Sequence, residues 1–472
     1  MRKLILVQSL ILAALAAVAQ NAGSYTGTWE GKLNPGVELR IVFHIKDEGA
    51  GRISASADSP DQSAFGLKCD TAYIDANGLT IEMKSLRASY RGKLVGDTLI
   101  EGVFNQGMDL PLNLKKAGKA TAKIRPQTPK PPFPYTSEDV NYDSKNPSVK
   151  LAATITIPQG KGPFPAALLI TGSGPQNRDE ELMGHKPFEV LADYLSRQGF
   201  IVLRADDRGV GKSTGDFSNA TSADFADDVH GGIEYLLSRP EVDRKKIGLI
   251  GHSEGGMIAP MVAATRKDLD YLVLMAGPGV KITRLMEAQN AAVLKSSGVS
   301  EAAIIAYIPF YSKMMSVLVN ETDSVKASAA ARNTLQQFVS KTDTALLSEL
   351  NLKDTSSHSA LLKTMDQQFR TRWLKYFLKF DPEPYLSKLK CKVLAINGGK
   401  DIQVLPSQNL SGIEKALRKS KTKTWEVAEL PGLNHLFQQC TKCTVQEYQE
   451  IEETISPVAL EYIGKWLNAH VK

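Results

Sequence analysis

Gly251-His252-Ser253-Glu254-Gly255 is the stretch that most constrains what this chain can fold into. It follows the apolar run Lys246-Ile247-Gly248-Leu249-Ile250 and precedes Gly256-Met257-Ile258-Ala259-Pro260-Met261-Val262. The pattern reads as a short buried strand, a tight turn and a small-residue helix start. A Gly-x-Ser-x-Gly in that setting holds the serine on a strained strand-to-helix turn. The glycines two residues either side are needed because side chains would collide in so sharp a turn. The strain exposes the Ser253 oxygen, and the helix N-terminus behind it favours developing negative charge. A five-residue pattern recurs by chance and a Gly-rich turn need carry no chemistry, so the rest of the chain must supply the context.

An activated serine needs a base to take its proton and an acid to orient that base. After such a turn the expected chain order is serine, acid, histidine. Cys391–Asn397 reads as a strand followed by Gly398-Gly399-Lys400-Asp401, which places Asp401 on a loop at a strand's C-terminal end. After the next helix and strand comes Leu430-Pro431-Gly432-Leu433-Asn434-His435-Leu436-Phe437. Of the 7 histidines only His435 and His470 follow Asp401, and His470 is expected at the surface two residues from the end. Ser253, Asp401 and His435 are therefore the expected triad.

The third requirement is a pair of N–H donors for an oxyanion. One is expected from Glu254, the residue after the nucleophile. The other is expected from the loop after Leu168-Leu169-Ile170, which reads Thr171-Gly172-Ser173-Gly174-Pro175. Ser173 is the choice, with Gly174 the near alternative; Gly172 and Gly174 let the backbone approach a substrate.

The surrounding organisation fits this arrangement. Residues 20–118 form the first folding unit: Leu39, Ile41, Phe43 and Ile45 alternate with other residues, as do Leu79, Ile81 and Met83, and Leu110, Leu112 and Leu114. Period two with Gly punctuation predicts antiparallel strands of a small β-barrel or sandwich, with a hairpin turn at Asn77-Gly78. Residues 119–137, with Pro126, Pro129, Pro131, Pro132 and Pro134, read as an extended spacer. From 138 to 472 strand-like runs alternate with amphipathic helices, which predicts an α/β unit: a mostly parallel sheet with helices on both faces. Between Gly298 and Gly398 there is no glycine, and Ala, Leu, Lys, Met and Gln abound. Residues of about 280–388 are thus expected as a helical cap inserted between two strands. Trp373, Tyr376, Phe377 and Phe380 give it an aromatic face at helical spacing, and Trp373 and Phe377 are the candidates for substrate contact.

Residues 1–19 read as a secretory signal peptide: Arg2-Lys3, an apolar run from Leu4 to Val18, then small residues before Gln20. The run falls short of a membrane span and no later stretch is read as one, so an exported chain without stable membrane insertion is expected. The net charge of +6 includes Arg2 and Lys3, and its charges are interspersed, which argues against nucleic acid as partner. Four cysteines are too few for a disulfide scaffold. Cys440-Thr441-Lys442-Cys443 is a single C-x-x-C without the second pair a zinc site needs, so no metal is expected there. A local disulfide or two inert thiols is the reading, with redox chemistry the lesser one. Gly209-Val210-Gly211-Lys212-Ser213 resembles part of a phosphate loop, but Asp206 stands where the first glycine belongs. Asp206 is read instead as bracing, and His252 as a packing or hydrogen-bonding residue.

Gly251–Gly256, Asp206–Ser213, Gly398–Val404 and Pro431–Phe437 resemble the serine esterases of the α/β-hydrolase superfamily. The closest likeness is to exported bacterial members with a small N-terminal β domain, through Gly27-Thr28-Trp29-Glu30-Gly31, Ser59-Pro60-Asp61-Gln62 and Gln106-Gly107. The resemblance implies the α/β-hydrolase fold and hydrolysis of a small-molecule carboxylic ester without a cofactor; Gln438–Cys443 departs from it. The same apparatus serves serine peptidases, thioesterases, lipases and deacetylases, and a hydrolase fold can be used as a binding module. About 100 residues of β structure cannot build the propeller of a prolyl oligopeptidase, at roughly 40 residues per blade. Three triad residues in the required order argue against pure binding. The sequence leaves the oligomeric state open.

Overall fold

In a computed structural model the described residues are 23–34, 39–59, 64–106, 108–117, 125–369 and 371–472. The expected leader, Pro60–Gln62, Gly107 and residues 119–124 of the spacer lie outside them. The chain divides into two compact units, Met1–Lys123 and Ile124–Lys472.

The first unit is one antiparallel sheet. β1 (Gly27–Leu33), β2 (Leu39–Gly49), β3 (Arg52–Ser59) and β4 (Ala64–Lys68) form one meander. β5 (Thr71–Asp75), β6 (Gly78–Met83), β7 (Ala88–Val95) and β8 (Leu99–Asn105) form another. β10 (Leu114–Lys116) joins β1 to β8, while β9 (Asp109–Pro111) pairs β8 alone. The alternating residues Ile41, Phe43, Ile45, Leu79, Ile81 and Met83 enter a single core around Trp29 and Tyr90. A sheet whose two meanders share one core curls over it, so of the two expected forms it is a barrel-like roll and not a pair of stacked sheets. The hairpin turn is Ala76-Asn77, closed by the pair Asp75–Gly78, one residue earlier than expected.

The second unit begins before residue 138. Arg125 donates through Nη2 to the Met183 and Gln449 carbonyls, at 2.9 and 3.1 Å, and Gln127 bonds the backbone of Thr454 and Ile455. Part of the expected spacer is thus fastened to the α/β unit, because Arg125 is buried there and its donors need acceptors. A strand that the sequence reading missed follows, β11 (Tyr135–Asp143). Its polar, half-exposed side chains hide an edge strand from any hydrophobic pattern.

The remaining strands are β12 (Lys150–Pro158), β13 (Phe164–Ile170), β14 (Ile201–Ala205), β15 (Val242–His252), β16 (Tyr271–Met275), β17 (Lys392–Gly398) and β18 (Trp425–Leu430). The sheet order is β11-β12-β14-β13-β15-β16-β17-β18. β12 runs antiparallel to both neighbours, and from β14 to β18 all pairs are parallel. Counted from β11, that is the 1-2-4-3-5-6-7-8 order of the α/β-hydrolase fold. Two helices, α1 (Pro187–Arg197) and α12 (Pro457–His470), cover one face. Three others, α2 (Ser222–Ser238), α3 (Gly255–Ala263) and α11 (Pro406–Leu417), cover the other.

Between β16 and β17 the glycine-free segment folds as helices throughout. They are α4 (Ile282–Ser296), α5 (Glu301–Asn320), α6 (Ser324–Lys341), α7 (Thr344–Glu349), α8 (Thr355–Phe369), α9 (Arg372–Lys379) and α10 (Glu383–Leu386). Side chains cap several starts: Asp323 accepts from the Val325 and Lys326 N–H groups, and Ser300 from Ala303. By length and mean hydropathy α5 alone among the described residues reaches what a membrane span requires, contrary to the expectation that no later stretch does. It buries Phe310, Met314, Met315 and Leu318 in the core that the cap shares with the sheet. Cys440 and Cys443 are joined in a disulfide.

Candidate active site

The site is built first by a turn. β15 ends at His252, α3 starts at Gly255, and Ser253 between them sits at φ 52°. A serine in the left-handed region is strained, and the turn must be over-determined to keep it there. The Ser253 N–H donates 2.9 Å to the Met275 carbonyl of β16, and Gly256 N–H donates 2.9 Å back to the Ser253 carbonyl. A Cβ on Gly251 would lie 2.1 Å from the Gly255 oxygen, and one on Gly255 would lie 2.1 Å from the Ile170 oxygen. Hydrogen is the only side chain either position admits.

Asp401 and His435 stand on the loops after β17 and β18, both almost fully buried. His435 Nδ1 lies 2.7 Å from Asp401 Oδ2. The other carboxylate oxygen accepts from the N–H groups of Gln403, 2.7 Å, and Val404, 2.9 Å. With Nδ1 held by a carboxylate, Nε2 is the nitrogen left to take a proton. The His435 loop is fixed by Asn434, whose Oδ1 accepts from the N–H groups of Leu436 and Gln438. Ser253 is half-buried and its hydroxyl bonds no described residue. Such hydrogen bonds are often long without substrate and tighten in the complex.

His252 packs its ring 4.8 Å from that of His435. Its Nδ1 is 3.0 Å from Glu180 Oε1 and its Nε2 is 3.0 Å from the His435 carbonyl. Both partners are acceptors, so both ring nitrogens carry hydrogen and the ring is an imidazolium. Burial alone would depress its pKa; the Glu180 charge and hydrogen bond outweigh that and hold it above the ordinary histidine value. Glu180 Oε1 also accepts 2.7 Å from the Gly172 N–H. One carboxylate therefore ties the loop after β13 to β15 and, through His252, to the His435 loop. Sequence reasoning missed Glu180. Nothing in Asp179-Glu180-Glu181 singles out one acid; only its position at φ 51° in the fold does.

The loop after β13 lies against the turn: a Cβ on Gly172 would be 3.3 Å from the Ser253 Cβ. Its ends are anchored to the loop after β14, where Asp207 accepts from the Thr171 hydroxyl, 2.7 Å, and the Gln176 N–H, 2.9 Å. Burial pushes the Asp207 carboxyl well above the usual carboxylate range, against the hydrogen bonds from Gln176 and Thr171. The Gly172 N–H is taken by Glu180, whereas the N–H groups of Ser173, Gly174 and Glu254 donate to no described residue. The first two glycine-flanked donors and the post-serine donor are thus open to a ligand. Asp206 braces as expected, bonding Arg178 through its N–H, Nε and Nη2 at 2.8–3.0 Å.

Among the described residues the cap reaches the turn through one hydrogen bond. Trp373 on α9 donates from Nε1 to Glu254 Oε1, 2.8 Å. Phe377 stacks on Trp373 at 4.9 Å and is buried behind it. A cavity of about 50 Å³ beside the turn is lined by Thr171, Gly172, Asp207, Asp228, Glu254 and Ile258, among others. Cys440, Cys443 and Glu447 form the one cluster of metal-ligand type among the described residues, but its sulfurs are already bonded to each other.

A strained serine turn after the fifth strand, an aspartate after the seventh and a histidine after the eighth, on this strand order, define the class: an α/β hydrolase. The family of X-Pro dipeptidyl-peptidases (S15 family) matches residues 147–426, and the chain belongs to that family. Esterase EstD of Thermotoga maritima is 31% identical over 181 residues, 38% of this chain and 43% of that protein. The uncharacterized protein PA2218 of Pseudomonas aeruginosa is 28% identical over 121 residues, 25% of this chain and 31% of its own. The chain thus spans less than half the length of either relative. Among solved structures, the esterase Pf2001 of Pyrococcus furiosus has a TM-score of 0.41 at 16% identity, covering 72% of this chain and 94% of that one.

Proposed function

We propose that this chain is a serine hydrolase that cleaves carboxylic esters of short or medium acyl, or aryl, type. The observation that carries the reading is the 2.7 Å Asp401–His435 pair standing on the two strand-end loops that follow the strained Ser253 turn. In this reading His435 Nε2 takes the Ser253 proton as Oγ attacks the ester carbonyl. The N–H groups of Glu254 and Ser173 receive the oxyanion. The protonated His435 then gives its proton to the leaving alcohol, and water, activated by the same nitrogen, releases the acyl group from Ser253. Asp401 holds the tautomer. The match to EstD along part of the chain supports an ester as the substrate. We further propose that residues 1–19 direct export and are removed.

The description of the S15 family favours a second reading, hydrolysis of a peptide bond after proline. A panel of p-nitrophenyl esters of graded acyl length, set beside an Xaa-Pro p-nitroanilide, separates the two. Ester turnover with no anilide turnover supports the first. Turnover of the anilide alone replaces it with the second.

A further inference from the structure

Glu254 follows the nucleophile directly, and its side chain is almost fully buried. Two donors reach its carboxyl, Ser222 Oγ at 2.6 Å and Trp373 Nε1 at 2.8 Å. Both choose the same oxygen, Oε1. Oε2 is buried with no hydrogen-bond partner, and Ser173 interacts more weakly from the loop after β13. A carboxylate spreads its charge over two equivalent oxygens and draws donors to each; a carboxylic acid has one carbonyl oxygen with two lone pairs and one hydroxyl. The two filled sites on Oε1 and the bare Oε2 are the pattern of the acid.

The surroundings agree. No Lys or Arg pairs with Glu254 among the described residues. From the loop after β14 the charged groups lining the same cavity are Asp206, already held by Arg178, and Asp207. From α2 it is Asp228, whose charge is matched by Arg208 at 2.7 and 2.8 Å. His252 on β15 is committed to Glu180 and the His435 carbonyl. On α9, Arg372 and Lys375 flank Trp373 in sequence and neither pairs with Glu254; α3 carries no ionisable residue. Burial raises the carboxyl pKa, outweighing the hydrogen bonds from Ser222, Trp373 and Ser173 that favour the charged form.

We propose that Glu254 is a positioning residue that works as an uncharged carboxylic acid, its Oε1 anchoring the cap through Trp373 and α2 through Ser222, its Oε2–H turned to Ser173. This rests on the ester-hydrolase reading above. A negative charge within ~6 Å of a developing oxyanion, at an effective dielectric near ~20, slows a reaction by about a hundredfold. An acid residue can stand next to the nucleophile without that penalty only while it is neutral. The cap is then anchored by a hydrogen bond that adds no charge to the site, and the bond has an alkaline limit. As pH rises through the Glu254 pKa, the acid form is lost and kcat falls with it.

The test compares the full-length wild type with E254Q, E254A and W373F. On a p-nitrophenyl ester, kcat of the wild type is expected to fall at alkaline pH. E254Q, which keeps a carbonyl acceptor and cannot ionise, should fall only severalfold at neutral pH and lose the alkaline limb. E254A should fall a hundredfold, and W373F about tenfold. A readout independent of turnover is the infrared difference spectrum of wild type minus E254Q at neutral pH, which should contain the C=O band of a protonated carboxyl, shifted in ²H₂O. An absent band, an alkaline limb that persists in E254Q, or a hundredfold loss in E254Q at neutral pH overturns the proposal. If no ester is turned over, the spectrum still decides the protonation state, and the failure belongs to the ester reading.

Discussion

The candidate site has two walls built on different principles. The sheet side, Ser253 with Asp401 and His435, is fixed by backbone. Its loops are held by hydrogen bonds that end on backbone N–H or carbonyl groups, and Gly251 and Gly255 admit no side chain. The cap side meets the turn through side chains, Trp373 on Glu254 with Phe377 stacked behind it. A backbone-built wall can place atoms to a fraction of an ångström, as bond-making requires. A wall of side chains on short helices can move as a unit and be rebuilt without touching the chemistry. The cap even retains a cavity of about 260 Å³, lined by Met286, Tyr307, Phe310, Tyr311, Met314 and others, while the space beside Ser253 is about 50 Å³.

If that contrast is right, the largest losses come from the sheet side. Ser253→Ala and His435→Ala should each lower kcat by on the order of 10⁴-fold, and Asp401→Asn by a similar factor through the wrong tautomer. All three should unfold at the wild-type midpoint. A fluorophosphonate probe should label Ser253; labelling at another serine would break the assignment. Gly251→Ala should act differently, through folding, because its methyl would meet the Gly255 oxygen at 2.1 Å. We expect a loss of about 1–3 kcal/mol or more in denaturant unfolding, together with reduced activity.

These differences also explain what the sequence disclosed. The turn was legible because strain forces glycines at fixed offsets, and Asp401 and His435 because chain order on this fold is fixed. The parallel strands announced themselves as continuous apolar runs such as Leu168–Ile170. β11 did not, since an edge strand with half-exposed polar side chains has no hydrophobic signature. Nor did Glu180, Ser222 or the partner of Trp373, because each role arises from residues 30 to 120 positions apart that only the fold brings together. The cap's existence was written in the absence of glycine; which of its aromatic residues meets the turn was not. Trp373 does, and Phe377 supports it from behind.

A sharper probe of the sheet side is Glu180→Gln, which keeps an acceptor for Gly172 but removes the charge that sustains the His252 imidazolium. His252 has its pKa raised in the folded state, so the ion pair stabilises fully below the unfolded histidine value near ~6.5 and fades as pH rises through the folded one. Urea unfolding of wild type and variant should therefore differ most under mildly acidic conditions, by about 1–3 kcal/mol, and converge at alkaline pH. A difference that grows with pH would show that the ring is neutral and the bond to the His435 carbonyl is made another way.

The smallest effect on the chemical step should follow removal of the first unit. All three triad candidates lie beyond residue 250, and the β sheet has a core of its own around Trp29, Phe43 and Tyr90. The cut must respect the fastening of residues 125–127. A chain starting at 138 would lose Arg125, which binds the Met183, Gln449 and Ile451 carbonyls, and Gln127, which holds the backbone of Thr454 and Ile455 just before α12. It would also lose the first three residues of β11. A chain of 124–472 keeps all of these. We expect it to fold and to keep kcat on a small activated ester within a fewfold, while 138–472 is destabilised by several kcal/mol for its orphaned acceptors and shortened edge strand. A hundredfold loss of kcat in a folded 124–472 would show that the β unit helps build the site. Retained kcat with a raised KM on bulky esters alone would make the β unit a third wall, one concerned with binding and not with bond-making.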